Sequence, residues 1–203
     1  MIKINNFNKI IAANWKLNTS KEFINDYFKK LNSISIDHKT CVIICAPTIY
    51  LSHCSSLSTK MYLGAQNCSN FNEGAYTGEI SAYMLKDNNC NFCIVGHSER
   101  RKIFKETNDD INYKVKNLLK VGINPIICIG ETLEDKNSGR TFEVLLEQVK
   151  NALNGISMNN SIVLAYEPIW SIGTGFIPSL QEISDIHAFL KKEIKKFKTN
   201  KII

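Results

Sequence analysis

Short apolar runs alternate with amphipathic helical patterns along this sequence about every thirty residues, the usual length of a strand–helix–strand unit. The strand candidates are apolar throughout rather than alternating, as strands are when both faces of a sheet are covered. Parallel strands need helical crossovers, so the pattern predicts an α/β fold with a parallel sheet. The predicted strands are Lys9–Ala13, Cys41–Cys45, Met61–Ala65, Phe92–Val95, Ile123–Ile129 and Ile162–Ala165.

Six helices are predicted from the same pattern. The last one carries apolar residues on one face, and Ser179 with Glu182 predicts a capping box at its start. Two architectures stay open, a doubly wound open sheet and a closed (β/α) barrel. No GxGxxG follows the first strand, which disfavours the dinucleotide-binding form of the open sheet. The predicted helices are Lys21–Leu31, Ile49–Leu57, Ser81–Lys86, Asp109–Val121, Thr141–Leu153 and Ser179–Phe197.

Length, charge and hydropathy restrict the class of protein. The 203 residues, 44% of them hydrophobic, suffice for one sizeable core, and we expect a single domain over 1–203. The sequence has no run of eighteen apolar residues, so no membrane span is predicted. The N-terminus does not resemble a signal peptide. The net charge of +6 comes largely from lysines near the chain's end, without the aromatic–basic interleaving typical of nucleic-acid binding. A mild positive field favours a small anionic substrate.

The seven cysteines are scattered, and several lie inside apolar runs, where a thiol packs as a small hydrophobe. Cys90 and Cys93 have the spacing of a redox or zinc pair. Because no second CxxC and no paired histidines accompany them, we predict no metal. Free thiols indicate a reducing, cytoplasmic environment.

Polar and ionisable residues follow five of the six predicted strands, and the carboxyl ends of parallel strands meet at one rim. Singly, each has an ordinary explanation as a surface lysine, a helix-cap neighbour or a first-turn acid. Together they offer a carboxylate base, an imidazole and an ammonium group, a set suited to proton transfer next to a carbonyl. The residues are Asn14, Lys16, Gln66, Asn67, His97, Glu99, Glu131 and Glu167.

The stretch AYEPIWSIGTG, residues Ala165–Gly175, adds a loop to that set. Pro168 cannot continue a central strand, so Glu167 ends the sixth strand at the lip of a loop. Trp170 and its neighbours are unusually apolar for a loop, and Gly173 can bring its N–H close to a phosphate oxygen. The stretch therefore predicts a lid that excludes water when it closes.

Five segments together resemble the triosephosphate isomerase family, in the family's order and spacing and over essentially the whole chain. The resemblance implies a (β/α)8 TIM barrel, a homodimer without a cofactor, and interconversion of dihydroxyacetone phosphate and D-glyceraldehyde 3-phosphate. The segments are AANWKLN (Ala12–Asn18), GAQNCSNFNEGAYTGEIS (Gly64–Ser81), IVGHSERR (Ile94–Arg101), ICIGET (Ile127–Thr132) and AYEPIWSIGTG.

The resemblance also implies the roles of site residues. Glu167 would be the base that moves the proton, His97 the neutral electrophile, and Lys16 the ammonium that attracts substrate and steadies the enediolate. Asn14 would complete the side of the binding site that Lys16 forms. Gly173 would bind the phosphate from the closed lid. The glutamate base, the neutral histidine and the closing loop are established features of this family and are taken from it here.

Thr77, at the tip of the long third loop, would by the same resemblance reach into the partner subunit near Asn14 and Lys16. Two departures accompany the match. Many members carry Lys-Thr-Ala where this chain has Phe176–Pro178, and we expect altered lid kinetics. Lys201–Ile203 resembles the start of a seventh strand, so the sequence holds about six β/α units of a barrel that typically takes about 250 residues. We therefore expect the 203-residue chain alone to be poorly soluble and nearly inactive.

Three functional hypotheses follow. The first is an isomerase of this family. The second is a barrel-derived chain without catalysis that serves as a binding or assembly module, because the family's last phosphate loops lie beyond these segments. The third, a different phosphate-binding barrel enzyme, is disfavoured because all five segments match one family.

Overall fold

The sheet is entirely parallel, and strands adjacent in the sheet are adjacent in sequence, in the order β1-β2-β3-β4-β5-β6. A computed structural model describes residues 1–157 and 162–196 of the chain. A doubly wound sheet reverses its strand order at a switch point, whereas this order runs one way, as in a barrel wall. The sheet therefore decides between the two predicted architectures in favour of the (β/α) barrel type. The strands are β1 Lys9–Asn14, β2 Thr40–Ala46, β3 Tyr62–Ala65, β4 Phe92–Val95, β5 Asn124–Ile129 and β6 Val163–Tyr166.

Each predicted strand is confirmed to within a residue at either end, and the six predicted helices are confirmed as helical segments. Two further helices, α4 and α6, were not predicted, because they are only six and five residues long and too short to show an apolar period. The expected seventh strand at Lys201–Ile203 lies outside the described residues. The helices are α1 Lys21–Ser33, α2 Leu51–Leu57, α3 Ala82–Asp87, α4 Ser98–Ile103, α5 Asn108–Lys120, α6 Leu133–Asn137, α7 Thr141–Ala152 and α8 Leu180–Lys196.

Apolar side chains cover both faces of the sheet, which explains why the strands lack alternation. Along β2, Ile44 packs with the crossover helices, in a cluster that includes Phe28 and Leu118. Its neighbours Ile43 and Cys45 belong to a second cluster on the opposite face, with partners on β4, β5 and β6. Because successive side chains of a strand point to opposite faces, these two clusters fix the sheet between an outer helical layer and an inner core.

Local capping fixes where the helices begin. The predicted capping box of α8 is confirmed: Ser179 N donates to Glu182 Oε2 (2.7 Å), and Glu182 N donates to Ser179 Oγ (3.1 Å). Thr107 with Asp110, and Thr132 with Asp135, form the same arrangement at α5 and α6. None of the helices in the described part of the chain is long and apolar enough to cross a membrane.

Candidate functional site

The carboxyl ends of the strands bring most of the predicted site residues together. Asn14 ends β1, His97 follows β4 after one glycine, and Glu167 directly follows β6. A groove of about 760 Å³ opens at this rim, lined in part by Asn14, Lys16 and His97. Glu167 approaches His97 from outside that lining, and neither Thr77 nor Gly173 lines the groove. The strand order thus brings His97 to the same opening as Asn14 and Lys16, although the histidine lies about eighty residues further along the chain.

Lys16 is held in a turn that its neighbours brace. Its backbone lies in the left-handed region at φ 51°, a conformation that most residues other than glycine avoid. The Asn14 Oδ1 atom accepts a hydrogen bond from Lys16 N (3.0 Å), and Gln66 Nε2 donates to Lys16 O (2.9 Å) and to Cys45 O (3.0 Å). Because the backbone N–H and the carbonyl oxygen of Lys16 are both hydrogen-bonded, its backbone is fixed and its side chain extends over the rim.

The Lys16 ammonium pairs with Glu99, a residue of α4. Lys16 Nζ lies 2.7 Å from Glu99 Oε1, and both side chains are half exposed. The hydrogen bond from Lys16, together with the charge of Lys16, lowers the pKa of Glu99, although partial burial opposes this shift. The ion pair holds the Lys16 ammonium at the groove, where both side chains remain partly open to solvent.

His97 caps the first turn of α4 with its ring. Its Nδ1 atom accepts a hydrogen bond from the backbone N of Glu99 (3.2 Å). An imidazole nitrogen that accepts carries no proton, so this bond assigns the neutral tautomer with hydrogen on Nε2. Nε2 lies 3.4 Å from Glu167 Oε2, and only 12% of the histidine side chain is exposed. The ring is therefore a neutral donor aimed at the space beside Glu167.

Glu167 is tied to the start of α4. Its Oε1 accepts from Ser98 N (2.8 Å), and its Oε2 accepts from Ser98 Oγ (3.1 Å). The side chain is 19% exposed. On its other side lies Cys128, where burial and then the charge of Glu167 raise the pKa of the thiol well above its ordinary value. Two hydrogen bonds from Ser98 thus hold this carboxylate at the start of α4.

The loop after Glu167 is anchored at its start and exposed beyond. Trp170 Nε1 donates to Glu131 Oε1 (2.7 Å), and Tyr166 Oη donates to the same oxygen (3.0 Å). Glu131 is 1% exposed, so this carboxylate is a buried anchor for the loop. Gly173 lies at φ +72° with no atom within 4 Å of an added Cβ, so its N–H can turn toward a ligand. Apolar residues farther along are exposed: Ile172, Phe176 and Ile177.

Two contacts of Glu167 were missed from the sequence. Neither Ser98 nor Cys128 was predicted as a site residue. Both contacts join residues that lie tens of positions apart, so no local spacing signals them. Only the neighbouring positions of β4, β5 and β6 bring these side chains together.

A one-way parallel sheet with carboxylate, imidazole and ammonium groups at its carboxyl rim defines an enzyme of the α/β-barrel class. The family model described as triosephosphate isomerase matches residues 9–202. The chain belongs to the triosephosphate isomerase family.

Curated relatives agree with the family match. The triosephosphate isomerase of Vesicomyosocius okutanii is 42% identical over 195 residues, covering 94% of this chain and 79% of the relative. That of Dictyoglomus thermophilum is 42% identical over 191 residues (92% and 77%), and that of Mesomycoplasma hyorhinis is 39% identical over 193 residues (92% and 79%). The match therefore covers nearly all of this chain and more than three quarters of each relative.

Proposed function

We propose that this chain is a triosephosphate isomerase in which Lys16, His97 and Glu167 carry the reaction. It interconverts dihydroxyacetone phosphate and D-glyceraldehyde 3-phosphate by proton transfer through an enediolate. The observation that supports these residues most is the 3.4 Å approach of His97 Nε2 to Glu167 Oε2, at the rim that also carries Lys16. A base and a neutral donor so close can act on a carbon and on the adjacent carbonyl oxygen of one substrate.

The roles follow from the chemistry of each group. Glu167 takes a proton from the carbon next to the carbonyl, and the electron pair moves onto the carbonyl oxygen, where the Nε2–H of His97 donates a hydrogen bond. A second proton passes from the hydroxyl oxygen of the first carbon to the former carbonyl oxygen, and Glu167, now a carboxylic acid, returns its proton to the former carbonyl carbon, which completes the isomerisation. Lys16, held by Asn14, stabilises the negative charge of the enediolate and of the phosphate. Gly173 supplies a backbone N–H to the phosphate when the lid closes.

The test measures isomerisation of D-glyceraldehyde 3-phosphate in the wild-type protein and in Glu167→Gln, with Glu147→Gln, an exposed carboxylate on α7, as the matched control. In the full-length context in which the site works, wild type and control are expected to be active and Glu167→Gln to be nearly inactive. Binding of 2-phosphoglycolate, a phosphorylated enediolate mimic, is measured in parallel. A wild-type protein that neither isomerises nor binds this mimic would contradict the proposal and favour the non-catalytic module.

The dimeric state is a second part of the proposal, supported by exposed apolar surface at the groove. Leu17, Ile103 and Phe104 line it and are 97%, 65% and 63% exposed, and such adjacent apolar surface is typical of interaction sites. Thr77, on the exposed tip of the loop before α3, is the element that we propose enters this groove in a partner. Sedimentation velocity should give a dimer that Leu17→Asp weakens and that Leu180→Asp, at a leucine that is also highly exposed but lies outside the groove, does not. A wild-type monomer at micromolar concentration would refute this.

We further propose a cytoplasmic location. All seven cysteines are free and buried in the structure, which suits a reducing compartment. Fractionation of cells that express the protein with a small epitope tag tests this, and recovery in an oxidising compartment would contradict it.

A further inference from the structure

A single lysine, Lys136 on α6, contacts both ends of the lid. Its Nζ atom lies 3.4 Å from the centroid of the Trp170 ring, at the start of the loop. The same atom lies 2.7 Å from Glu182 Oε1, in the first turn of the helix that follows the loop. The two contacts lie twelve residues apart in sequence, on opposite sides of Gly173, so one ammonium bridges the segment that must move.

Both partners of Lys136 are themselves fixed. Trp170 donates to the buried Glu131, and Glu182 accepts from Ser179 N in the capping box of α8. The lysine therefore joins two anchored points rather than two mobile side chains. Its own side chain is only 32% exposed, so part of its ion pair and of its cation–π contact is shielded from solvent.

We propose that Lys136 is a positioning residue that holds the lid open by linking Trp170 to Glu182. The proposal rests on the proposed function, because it concerns the lid of that site. Trp170 belongs to the loop, so a closure that shifts its ring must separate it from the ammonium. The bridge then favours the open lid by the strength of a partly exposed cation–π contact, about two- to fivefold in population.

A simpler explanation is that Lys136 only stabilises α6, since a basic residue in the last turn of a helix favours its dipole. The two explanations differ in what they predict for Trp170. A helix-stabilising lysine would change the melting temperature and leave the indole of Trp170 unaffected. A lid latch would change how often that indole leaves Glu131, whether or not the protein melts earlier.

The test follows solvent exchange of the indole N–H groups by nitrogen-15 NMR in the substrate-free protein, with Trp15 as the internal reference. Lys136→Met should speed exchange at Trp170 about two- to fivefold and leave Trp15 unchanged. Lys136→Arg keeps charge and reach and should restore the wild-type rate. Glu182→Gln keeps an acceptor for the capping box but removes the ion pair, and it should give a smaller effect. Lys116→Met, a lysine over Tyr113 on α5, is the matched control.

The same variants are then titrated with 2-phosphoglycolate. Lys136→Met should bind it about two- to fivefold more tightly, because the open lid is less stable without the lysine and closure over the ligand costs less free energy. Unchanged Trp170 exchange in Lys136→Met, or an equal change in Lys116→Met, would overturn the latch. Because the exchange measurement needs no turnover, a latch failure in an active enzyme is distinguishable from a failure of the proposed isomerase function.

Discussion

Gly130, between β5 and α6, sits where the structure leaves no room for a side chain. A Cβ added there would lie 2.0 Å from the carbonyl oxygen of Glu167, whereas real Cβ contacts essentially never fall below 3.0 Å. In Gly130→Ala the two backbones must therefore separate by at least 1.0 Å, the difference between these two distances. The substitution tests whether the precise position of the Glu167 backbone matters for catalysis.

The Gly130 peptide is held at both its N–H and its carbonyl oxygen by the side chain of Gln148, on α7. Gly130 N donates to Gln148 Oε1 (2.9 Å), and Gln148 Nε2 donates to Gly130 O (2.9 Å). Glu167 starts a loop, so we expect its backbone to move and to carry the carboxylate with it. A misplacement of about 1 Å can lower turnover about 100-fold, or about 2.7 kcal/mol of transition-state stabilisation. Overpacking should also lower the free energy of unfolding by about 1–3 kcal/mol.

The assay compares kcat/KM and thermal melting of Gly130→Ala with those of Gly64→Ala. At Gly64 the added Cβ would lie 2.5 Å from Cys45 Sγ, a side-chain atom in the inner core. Both variants should melt earlier, but only Gly130→Ala should lose about 100-fold in kcat/KM. A folded Gly130→Ala protein with wild-type kcat/KM would refute the reasoning that the Glu167 backbone must stay where it is.

Three further predictions concern individual charges. In steady-state assays, Glu167→Gln should lower kcat by at least about 10²–10⁴ with little change in the circular dichroism spectrum, because a general base is lost. Lys16→Met should weaken binding of 2-phosphoglycolate as well as turnover, whereas His97→Gln should mainly slow the chemical step, because a carbonyl-directed donor acts chiefly on the transition state. The carboxylate of Glu182, whose pKa is lowered to about 2 by the Lys136 hydrogen bond and then by capping bonds, should stabilise the fold fully above its ordinary pKa of 4.5. That contribution should disappear as the pH falls through about 2, so acid titrations of wild type and Glu182→Gln should converge there.

Each of these has a result that contradicts it. Near-normal turnover in Glu167→Gln would remove this residue from the mechanism. A His97→Gln protein that binds substrate poorly but turns it over at the normal rate would reverse the roles assigned to the imidazole and the ammonium. Wild type and Glu182→Gln that differ equally at every pH would show that the ionised carboxylate contributes nothing to stability.

Elements of the fold were predictable from local sequence because local forces set them. Apolar, β-branched runs such as the one ending at Ile129 are strands wherever both faces are covered, and the box of Ser179 and Glu182 starts a helix without help from elsewhere. The five segments also carried the family, which the match over residues 9–202 confirms. The short helices α4 and α6 escaped prediction, since one turn and a half shows no period.

Periodicity could not distinguish the barrel from the doubly wound sheet, because the same apolar strands suit either, although the family resemblance implied the barrel. Tertiary structure decided between them through the pairing order of the strands. It also decided the partners of Glu167. The bonds from Ser98, the thiol of Cys128 and the close backbone of Gly130 depend on how neighbouring strands align, which no spacing along the chain records. Sequence determined which groups this protein brings to its rim, since composition and local periodicity are properties of the chain. Structure decided which of them touch, because distance in space is set by the register and curvature of the whole sheet.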